Sequence, residues 1–401
     1  ETSVLNEKIN VPADAKMWSP SLQKWENVST DTLATSKVTF DFEFSNWHNG
    51  KLMDINDILH SLYFTMEWGT QIDENDKTFD TEFTPRAAQS IQTIIAINQI
   101  DDNTVEVYVN YWHFDENEIA EWAALWSSVP WEITAAMEKA VTDGKVSFSR
   151  SGATSKNVNW LSLIVPNDAQ IIKEYLKEFK ENKFIPNSLK QSQIQHQYFE
   201  DRFDSSINWI EEKNHAVISN GPFYLETYSP ESRTIQVKAF EDDSYPFEAG
   251  TWSKFENVQF PNIKKVSMEK IVQQGKSTQI NIETEGVTSL LYFILDNEGS
   301  IQISEELEIL ENQAVIKLAS GNAEKLKIGT NQIKIFGVSD SVLKPDIYET
   351  NFLVTKEISE IPKTNIEMQN TNAEVNYDIG LIGIILISII IGIAIVVKKK
   401  N

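Results

Sequence analysis

The part of the chain before residue 264 carries alternating runs of apolar and polar residues. Such alternation runs through 37–44 and through 91–112, where an Asp-Asp-Asn turn at 101–103 interrupts it. Because successive side chains of a strand point to opposite faces, these runs predict one strand and one hairpin. A second hairpin is predicted within 219–250, where two alternating runs flank a Ser-Pro-Glu-Ser turn.

Other segments of this part of the chain show the helical period. In 54–68, apolar residues recur at helical spacing, Asp54 stands at the expected N-cap, and Asp57 follows three residues later. The same kind of spacing predicts helices over 116–127 and 168–181. Hairpins with interspersed helices, and without an internal repeat, indicate a mixed α/β lobe.

From 264 to 355 the pattern changes to short alternating runs separated by Gly, Asn and Asp, and all eleven tryptophans precede this stretch. The pattern predicts a small antiparallel β-sandwich of Ig-like type. The sequence GKST at 275–278 lacks the glycine five residues earlier that a phosphate-binding loop needs, so we interpret it as a turn entering a strand.

The last part of the chain predicts a membrane anchor. No charged residue occurs between Ile379 and Val397, and lysines follow at 398–400. At about 1.5 Å per residue this segment would be about 28 Å long, enough to cross a bilayer, and the lysines predict a cytoplasmic C-terminus. We therefore expect a single-pass protein of the cell membrane with its N-terminal part outside. The predicted organisation is a lobe over 1–263, a β-sandwich over 264–355, a stalk over 356–378, a transmembrane helix over 379–397 and a tail over 398–401.

Charge and composition exclude several functions. The formal net charge is -24, which disfavours nucleic acid as a partner. The chain has no cysteine, so thiol nucleophiles and cysteine-ligated metal sites are excluded. The five histidines include no pair at the helical spacing of a metal motif, and the acidic cluster from His113 to Glu118 is interpreted as a solvated helix start. We predict neither an enzyme nor a bound metal or cofactor.

Four tryptophans close together in the sequence indicate either a ligand-binding surface or part of the hydrophobic core. Trp112, Trp122, Trp126 and Trp131 lie within twenty residues of each other. Helical spacing places Trp122 and Trp126 on one face, where the alternatives are core packing and the aromatic wall of a ligand cleft. In the second case the ligand could be a peptide, a chelated metal or an oligosaccharide. Asn27 begins an Asn-Val-Ser sequon and is a candidate glycosylation site.

Three segments resemble the family 5 extracellular solute-binding proteins, the peptide- and nickel-type binding subunits of ABC importers. These are the strand, loop and helix of 37–64, the hairpin of 97–112 and the hairpin of 219–247, and they follow one another in the family's order. The sequence of the third segment is most similar to that of archaeal members anchored to the membrane at the C-terminus. The residues that match the family's motifs, expected to be structural, are Trp47, His48, Gly50, Asp57, Gly221, Pro222 and Tyr245.

The resemblance implies a fold and a function. The lobe is expected to have the α+β fold of periplasmic binding proteins, followed by the all-β sandwich and the transmembrane helix. The chain departs from the family at Asn49, where an aspartate is usual, and in lacking a further lobe after Tyr245. We expect that lobe to be encoded ahead of Glu1.

The function implied is that of a membrane-anchored extracellular component that captures a small, peptide-like solute for import. Its expected partners are the ABC permease and ATPase subunits, the solute, and the membrane through the C-terminal helix. The alternative is a structural or adhesive cell-surface protein built on a solute-binding scaffold.

Overall fold

The computed structural model describes residues 8–113 and 115–356. The pattern of contacts divides the chain into two compact units, 1–258 and 259–401, and each has its own hydrophobic core. This division falls a few residues before the change of pattern that the sequence shows after residue 263.

In the first unit the strands are short and mostly antiparallel. A five-stranded sheet has the order β3-β2-β6-β7-β5, and three further pairs are β1–β4, β8–β9 and β10–β11. The Asp101 carboxylate accepts a hydrogen bond from the Asn103 amide in the turn between β6 and β7, as the polar turn residues predict. The strands are β1 Ile9–Asn10, β2 Lys16–Ser19, β3 Lys24–Asn27, β4 Leu33–Ala34, β5 Ser36–Asp41, β6 Ile94–Gln99, β7 Thr104–Val109, β8 Val146–Ser147, β9 Asn159–Trp160, β10 Phe223–Ser229 and β11 Thr234–Ala239.

The helices of this unit pack their apolar faces into one core. Helix α1 begins where the sequence predicts: the Asp54 side chain accepts from the Asn56 amide, and Asp57 accepts from the Asp54 amide to complete a capping box. Ile58 and Leu62, one turn apart, are fully buried. The helices are α1 Ile55–Trp68, α2 Phe83–Ile91, α3 Glu116–Ala123, α4 Trp131–Thr142, α5 Arg150–Lys156, α6 Pro166–Glu181 and α7 His196–Lys213, with 3-10 turns at Asn187–Leu189 and Ser253–Phe255.

The second unit contains two sheets, with the orders β12-β14-β17 and β13-β19-β18-β15-β16. Alternation is clear in β14, where Ile280 and Ile282 are buried and Asn281 between them is exposed. The elements are β12 Asn262–Ser267, β13 Ile271–Gln273, β14 Thr278–Glu285, β15 Ser289–Leu295, β16 Ile301–Glu308, β17 Gln313–Leu318, α8 Ser320–Lys325, β18 Gly329–Ser339 and β19 Val342–Thr355.

Within the described ranges, none of the helices has the length and apolar character needed to cross a membrane. Helix α7 is the longest of them at 18 residues, and acidic and basic side chains are distributed along it. The predicted stalk, the segment from Ile379 to Val397 and the lysine tail lie outside the described residues.

The predicted fold class is therefore corrected. The chain was expected to be an α+β lobe with a β-sandwich and one transmembrane helix, whereas the described residues form a mixed α/β fold with several β-sheets and include no membrane-spanning helix. The cell-membrane location, with an extracellular N-terminal part and a cytoplasmic C-terminus, depended on that helix and is corrected with it.

Candidate functional site

A cleft of about 740 Å³ opens in the first unit, between helix α7, the loop that carries His48, and the β10–β11 hairpin. Four rings line it, namely His48, Trp209, Tyr224 and Phe240. The ring centroids of Trp209 and Tyr224 are 5.9 Å apart, and those of His48 and Phe240 are 4.9 Å apart. The surface open to the cleft is more polar than apolar, so the rings supply the smaller part of what a ligand would contact.

Helix α7 provides one wall. Ser205, Asn208, Trp209 and Glu212 recur at spacings of three and four residues, so they share one side of the helix and line the cleft. The neighbouring loop is fixed to this side, because the Ser205 hydroxyl donates to the Asn49 carbonyl over 2.8 Å.

The hairpin provides the other wall. Tyr224 and Lys238 are cross-strand partners, so their side chains lie on the same face of the two-stranded sheet, and that face lines the cleft. Lys213 of α7 reaches across, with its ammonium 5.7 Å from the centre of the Trp209 ring and 5.5 Å from that of Tyr224. These distances suit cation–π attraction, which helps to fix helix and hairpin to each other.

Glu226 links the two walls electrostatically. Its carboxylate accepts from Lys213 over 2.8 Å and from Lys238 over 2.6 Å. These two hydrogen bonds lower the pKa of Glu226 to about 2. The carboxylate therefore stays ionised over the whole physiological range and keeps its ion pairs with both lysines.

His48 is held by the backbone on both sides of its ring. Its Nδ1 accepts from the Ser219 amide and its Nε2 donates to the Gly221 carbonyl, an arrangement that suits the neutral imidazole. Burial lowers the pKa of His48, and the hydrogen bond to Gly221 opposes that effect. Gly50 closes the same loop with a φ of +79°, a region that glycine adopts without strain.

The remaining motif residues lie around this loop without forming a single site. Trp47 is fully buried and its indole N–H donates to the Asp57 carboxylate over 3.2 Å. The Pro222 carbonyl accepts from the Phe240 amide, which continues the pairing of the hairpin. Tyr245 lies beyond the hairpin, with its ring 5.7 Å from that of Phe247, and does not line the cleft.

Behind α7 a buried ionic cluster joins three helices. The Arg202 guanidinium lies 2.6 Å from a carboxylate oxygen of Asp57 and 2.8 Å from one of Glu132, and all three side chains are almost inaccessible to solvent. Burial raises the pKa of Glu132, and the charge of Arg202 opposes that rise. The cluster fixes the helix that carries the cleft wall, although it is not itself part of the cleft.

The four tryptophans considered as a cleft wall lie in different places, and none lines the cleft. Trp112 is half-buried after β7. The Trp122 indole N–H donates to Thr93, and Trp126 packs edge-to-face on Phe40 and Phe42. Trp131, at the start of α4, is 1% exposed and belongs to the core.

Other candidate residues are placed as follows. Asn27 ends strand β3 and is exposed. Among the residues that the structure describes, no group of three or more His, Cys, Asp or Glu side chains is arranged to hold a metal ion.

Several cleft residues were not predicted from the sequence. Asn208, Trp209 and Lys213 carry no motif, and their helix was not predicted because its buried face includes Arg202 and Ser206, which interrupt the apolar period. The helical spacing of Phe199, Phe203 and Ile210 was the feature of the sequence that could have predicted this helix.

Comparison with known proteins does not assign the chain to a family. No protein-family model and no curated protein matches the sequence. Among solved structures, the sulfur carrier protein SoxY from Chlorobium limicola f thiosulfatophilum is 14% identical, with a TM-score of 0.18, over 26% of this chain and 90% of that one. A β-glucuronidase from Ruminococcus gnavus is 16% identical, with a TM-score of 0.16, over 23% of this chain and 16% of that one. Neither likeness is close enough to indicate a function, and the resemblance to family 5 solute-binding proteins stays a prediction.

Proposed function

We propose that this chain is a solute-binding component of an ABC importer and holds a small, peptide-like solute in the cleft between α7 and the β10–β11 hairpin. The observation that carries the proposal is the composition of the cleft. Its open surface is mainly polar, and Asn49, Ser205 and Asn208 carry amide and hydroxyl groups that can fix the orientation of a ligand, while the rings add a smaller apolar area.

The charges of the cleft favour a ligand with both an ammonium and a carboxylate. Glu212 and Glu241 line it together with Lys213 and Lys238. Lys213 pairs with both Glu226 and Glu212, and Lys238 pairs with Glu226. Since an ammonium has three N–H donors, each lysine retains at least one donor for a ligand carboxylate. A short peptide has charged termini of both signs and amide groups between them, which matches this distribution.

The partners follow from the resemblance to the family 5 proteins. A binding component of that kind delivers its solute to an ABC permease driven by ATPase subunits, and the chain itself catalyses no reaction. These partners belong to the proposal and would be sought by co-purification with the candidate permease.

The cleft can be tested by filling it. Asn208 is exposed and lines the cleft, so Asn208→Trp places an indole where the ligand would lie. Isothermal titration against short peptides, nickel chelates and oligosaccharides should give binding to peptides with the unmodified chain and at least a tenfold loss with the variant.

The control variant introduces a tryptophan at an exposed position outside the cleft. Asp102→Trp is in the exposed turn between β6 and β7 and does not line the cleft, so it should bind as the unmodified chain does. If no peptide binds, or if both variants lose affinity equally, the proposed function is wrong.

A further inference from the structure

The β10–β11 hairpin has no core of its own. Every residue of β11 is exposed, and those of β10 are exposed or only partly buried. In the described part of the chain, the two strands pair with each other and with no other strand. Because a two-stranded sheet is marginally stable by itself, the hairpin depends on the contacts that hold it to the rest of the first unit.

Two histidines hold β10 through the same pattern of hydrogen bonds. His215, directly after α7, accepts at Nδ1 from the Val217 amide over 3.2 Å and donates from Nε2 to the Leu225 carbonyl over 2.9 Å. His48 makes the same two kinds of hydrogen bond, over 3.4 Å and 2.9 Å, with the segment that enters β10. Both rings also contact Trp209 of α7, with centroid distances of 5.9 Å for His215 and 6.4 Å for His48. The two histidines therefore join the strand to the helix.

Each of these arrangements requires a neutral ring. A backbone amide can only donate, so the ring nitrogen that accepts from it carries no proton. Protonation would place an N–H at Nδ1 directly against the amide N–H of Val217 or Ser219, and the hydrogen bond would be replaced by a contact between two donors. Burial lowers the pKa of His48 and of His215, and the hydrogen bonds to the carbonyls oppose that effect. Protonation therefore favours a state in which the two rings have left these positions.

The charges around the two rings largely cancel. For His215, the ammonium of Lys213 lowers the pKa further, and the carboxylate of Glu226 raises it. The cleft that His48 lines carries five titratable side chains, two of them acidic and two basic, namely Glu212, Lys213, Tyr224, Lys238 and Glu241. Burial and the geometry of the hydrogen bonds, rather than a net charge nearby, therefore keep both rings neutral.

We propose that His48 and His215 form a pH-sensitive latch, which holds the hairpin against α7 while both rings are neutral and releases it when they are protonated. Because the closed form favours neutral rings, the latch is fully effective above the ordinary histidine pKa of 6.5 and weakens as the pH falls below that value. In this range each histidine favours the open form by up to about tenfold per pH unit. The carboxylate of Glu226 is still ionised there, since its pKa is about 2, so its ion pairs do not change.

The consequence for the cleft rests on the proposed function. The hairpin forms one wall, so its release moves Tyr224 and Lys238 away from the ligand. A solute bound at neutral pH would then dissociate as the surroundings become acidic.

Hydrogen exchange followed by mass spectrometry on the full chain, without any solute, tests the latch. The quantity to compare is the protection of the backbone amides over 215–240 at about pH 7.5 and at about pH 5, the range in which histidine titrates. In the unmodified chain this protection should fall at least tenfold between the two pH values. The β6–β7 hairpin contains no histidine and should keep its protection, which makes it the internal reference. Protection over 215–240 that changes no more than that of β6–β7 would overturn the proposal.

Variants identify the groups that titrate. Glutamine does not gain a proton in this range and keeps an amide N–H for the carbonyl, so His215→Gln and His48→Gln should each lose part of the pH response. The variant with both changes should lose all of it. His196→Gln, at the start of α7, is the matched control and should respond as the unmodified chain does. Because each variant is compared with itself at two pH values, a general loss of stability does not imitate the expected result. A double variant that keeps the full response would also overturn the proposal.

The latch and the proposed function fail separately. The exchange experiment uses no solute, and the titrations that test solute binding are made at about pH 7.5, where the latch is closed. Repeating the peptide titration at about pH 5 should give at least a tenfold weaker affinity for the unmodified chain. If the hairpin opens at about pH 5 but peptide binds equally at both pH values, the latch stands and the assignment of the solute to this cleft is wrong.

Discussion

At the scale of single residues, the burial of Arg202 determines how three helices pack. Its guanidinium is 2% exposed and lies between Asp57 of α1 and Glu132 of α4. The Asp57 carboxylate also accepts from the backbone amide of Trp131 over 3.0 Å. A buried charge is tolerated when it is paired and hydrogen-bonded, and each carboxylate here depends on the same cation.

Replacing Arg202 with methionine should lower the free energy of unfolding by about 3–5 kcal/mol, because two carboxylates would be left buried without their cation. Denaturant unfolding followed by tryptophan fluorescence measures this loss. Lys180→Met is the matched control, since Lys180 pairs with Asp204 at the surface and its loss should cost less than about 1 kcal/mol. Equal losses in the two variants would contradict the role assigned to Arg202.

The sequence singled out one of the three members of this cluster. Asp57 was singled out as a helix-capping residue and as part of a motif, and it does complete the capping box. Its ion pair with Arg202 joins residues 145 positions apart, and no periodicity in the sequence reports such a contact.

At the scale of elements, the β10–β11 hairpin depends on its attachment to α7. The contacts between hairpin and helix include the Tyr224 ring on Trp209, the Lys213 ammonium over the Tyr224 ring, and the ion pair of Glu226 with Lys213. The second ion pair of Glu226, with Lys238, lies within the hairpin. Because the Glu226 pKa falls from its ordinary 4.5 to about 2, the ionised form is favoured in the folded chain. Its contribution to stability is therefore present above pH 4.5 and is lost as the pH falls towards 2.

Glu226→Gln should lower the thermal midpoint at neutral pH, and the difference from the unmodified chain should shrink between pH 4.5 and about 2. Differential scanning calorimetry across this range measures both midpoints. Glu231→Gln, an exposed residue in the turn of the same hairpin, should have little effect at any pH. A difference that persists unchanged below pH 2 would show that the charge of Glu226 is not what stabilises the hairpin.

At the scale of the whole molecule, the chain forms two units with separate cores. The core of the second unit includes Ile294, Ile333 and Ile335, all fully buried. All eleven tryptophans lie at or before Trp252, in the first unit. Tryptophan fluorescence therefore reports on the first unit alone, while far-ultraviolet circular dichroism reports on both.

Ile335→Ala should destabilise the second unit by about 2–5 kcal/mol, because it leaves a cavity in a closely packed core. In denaturant unfolding, circular dichroism should then show that β-structure is lost at a lower denaturant concentration, while the midpoint of the fluorescence change stays that of the unmodified chain. Ile301→Ala, on a partly exposed side chain in β16, is the control and should shift neither signal appreciably. A parallel shift of the fluorescence midpoint would mean that the two units unfold together.

The sequence alone determined the features that depend on local chemistry. Alternation located β5, the β6–β7 hairpin, the β10–β11 hairpin and several strands of the second unit, and capping residues located α1. These patterns are local, because the apolar residues of a strand or a helix repeat every two to four positions and can be recognised within a short segment. Only the tertiary structure decided which rings and charges form the cleft, since His48, Trp209 and Tyr224 come from three separate segments. It also decided that Trp131 packs in the core, because burial depends on neighbours that lie far away along the chain.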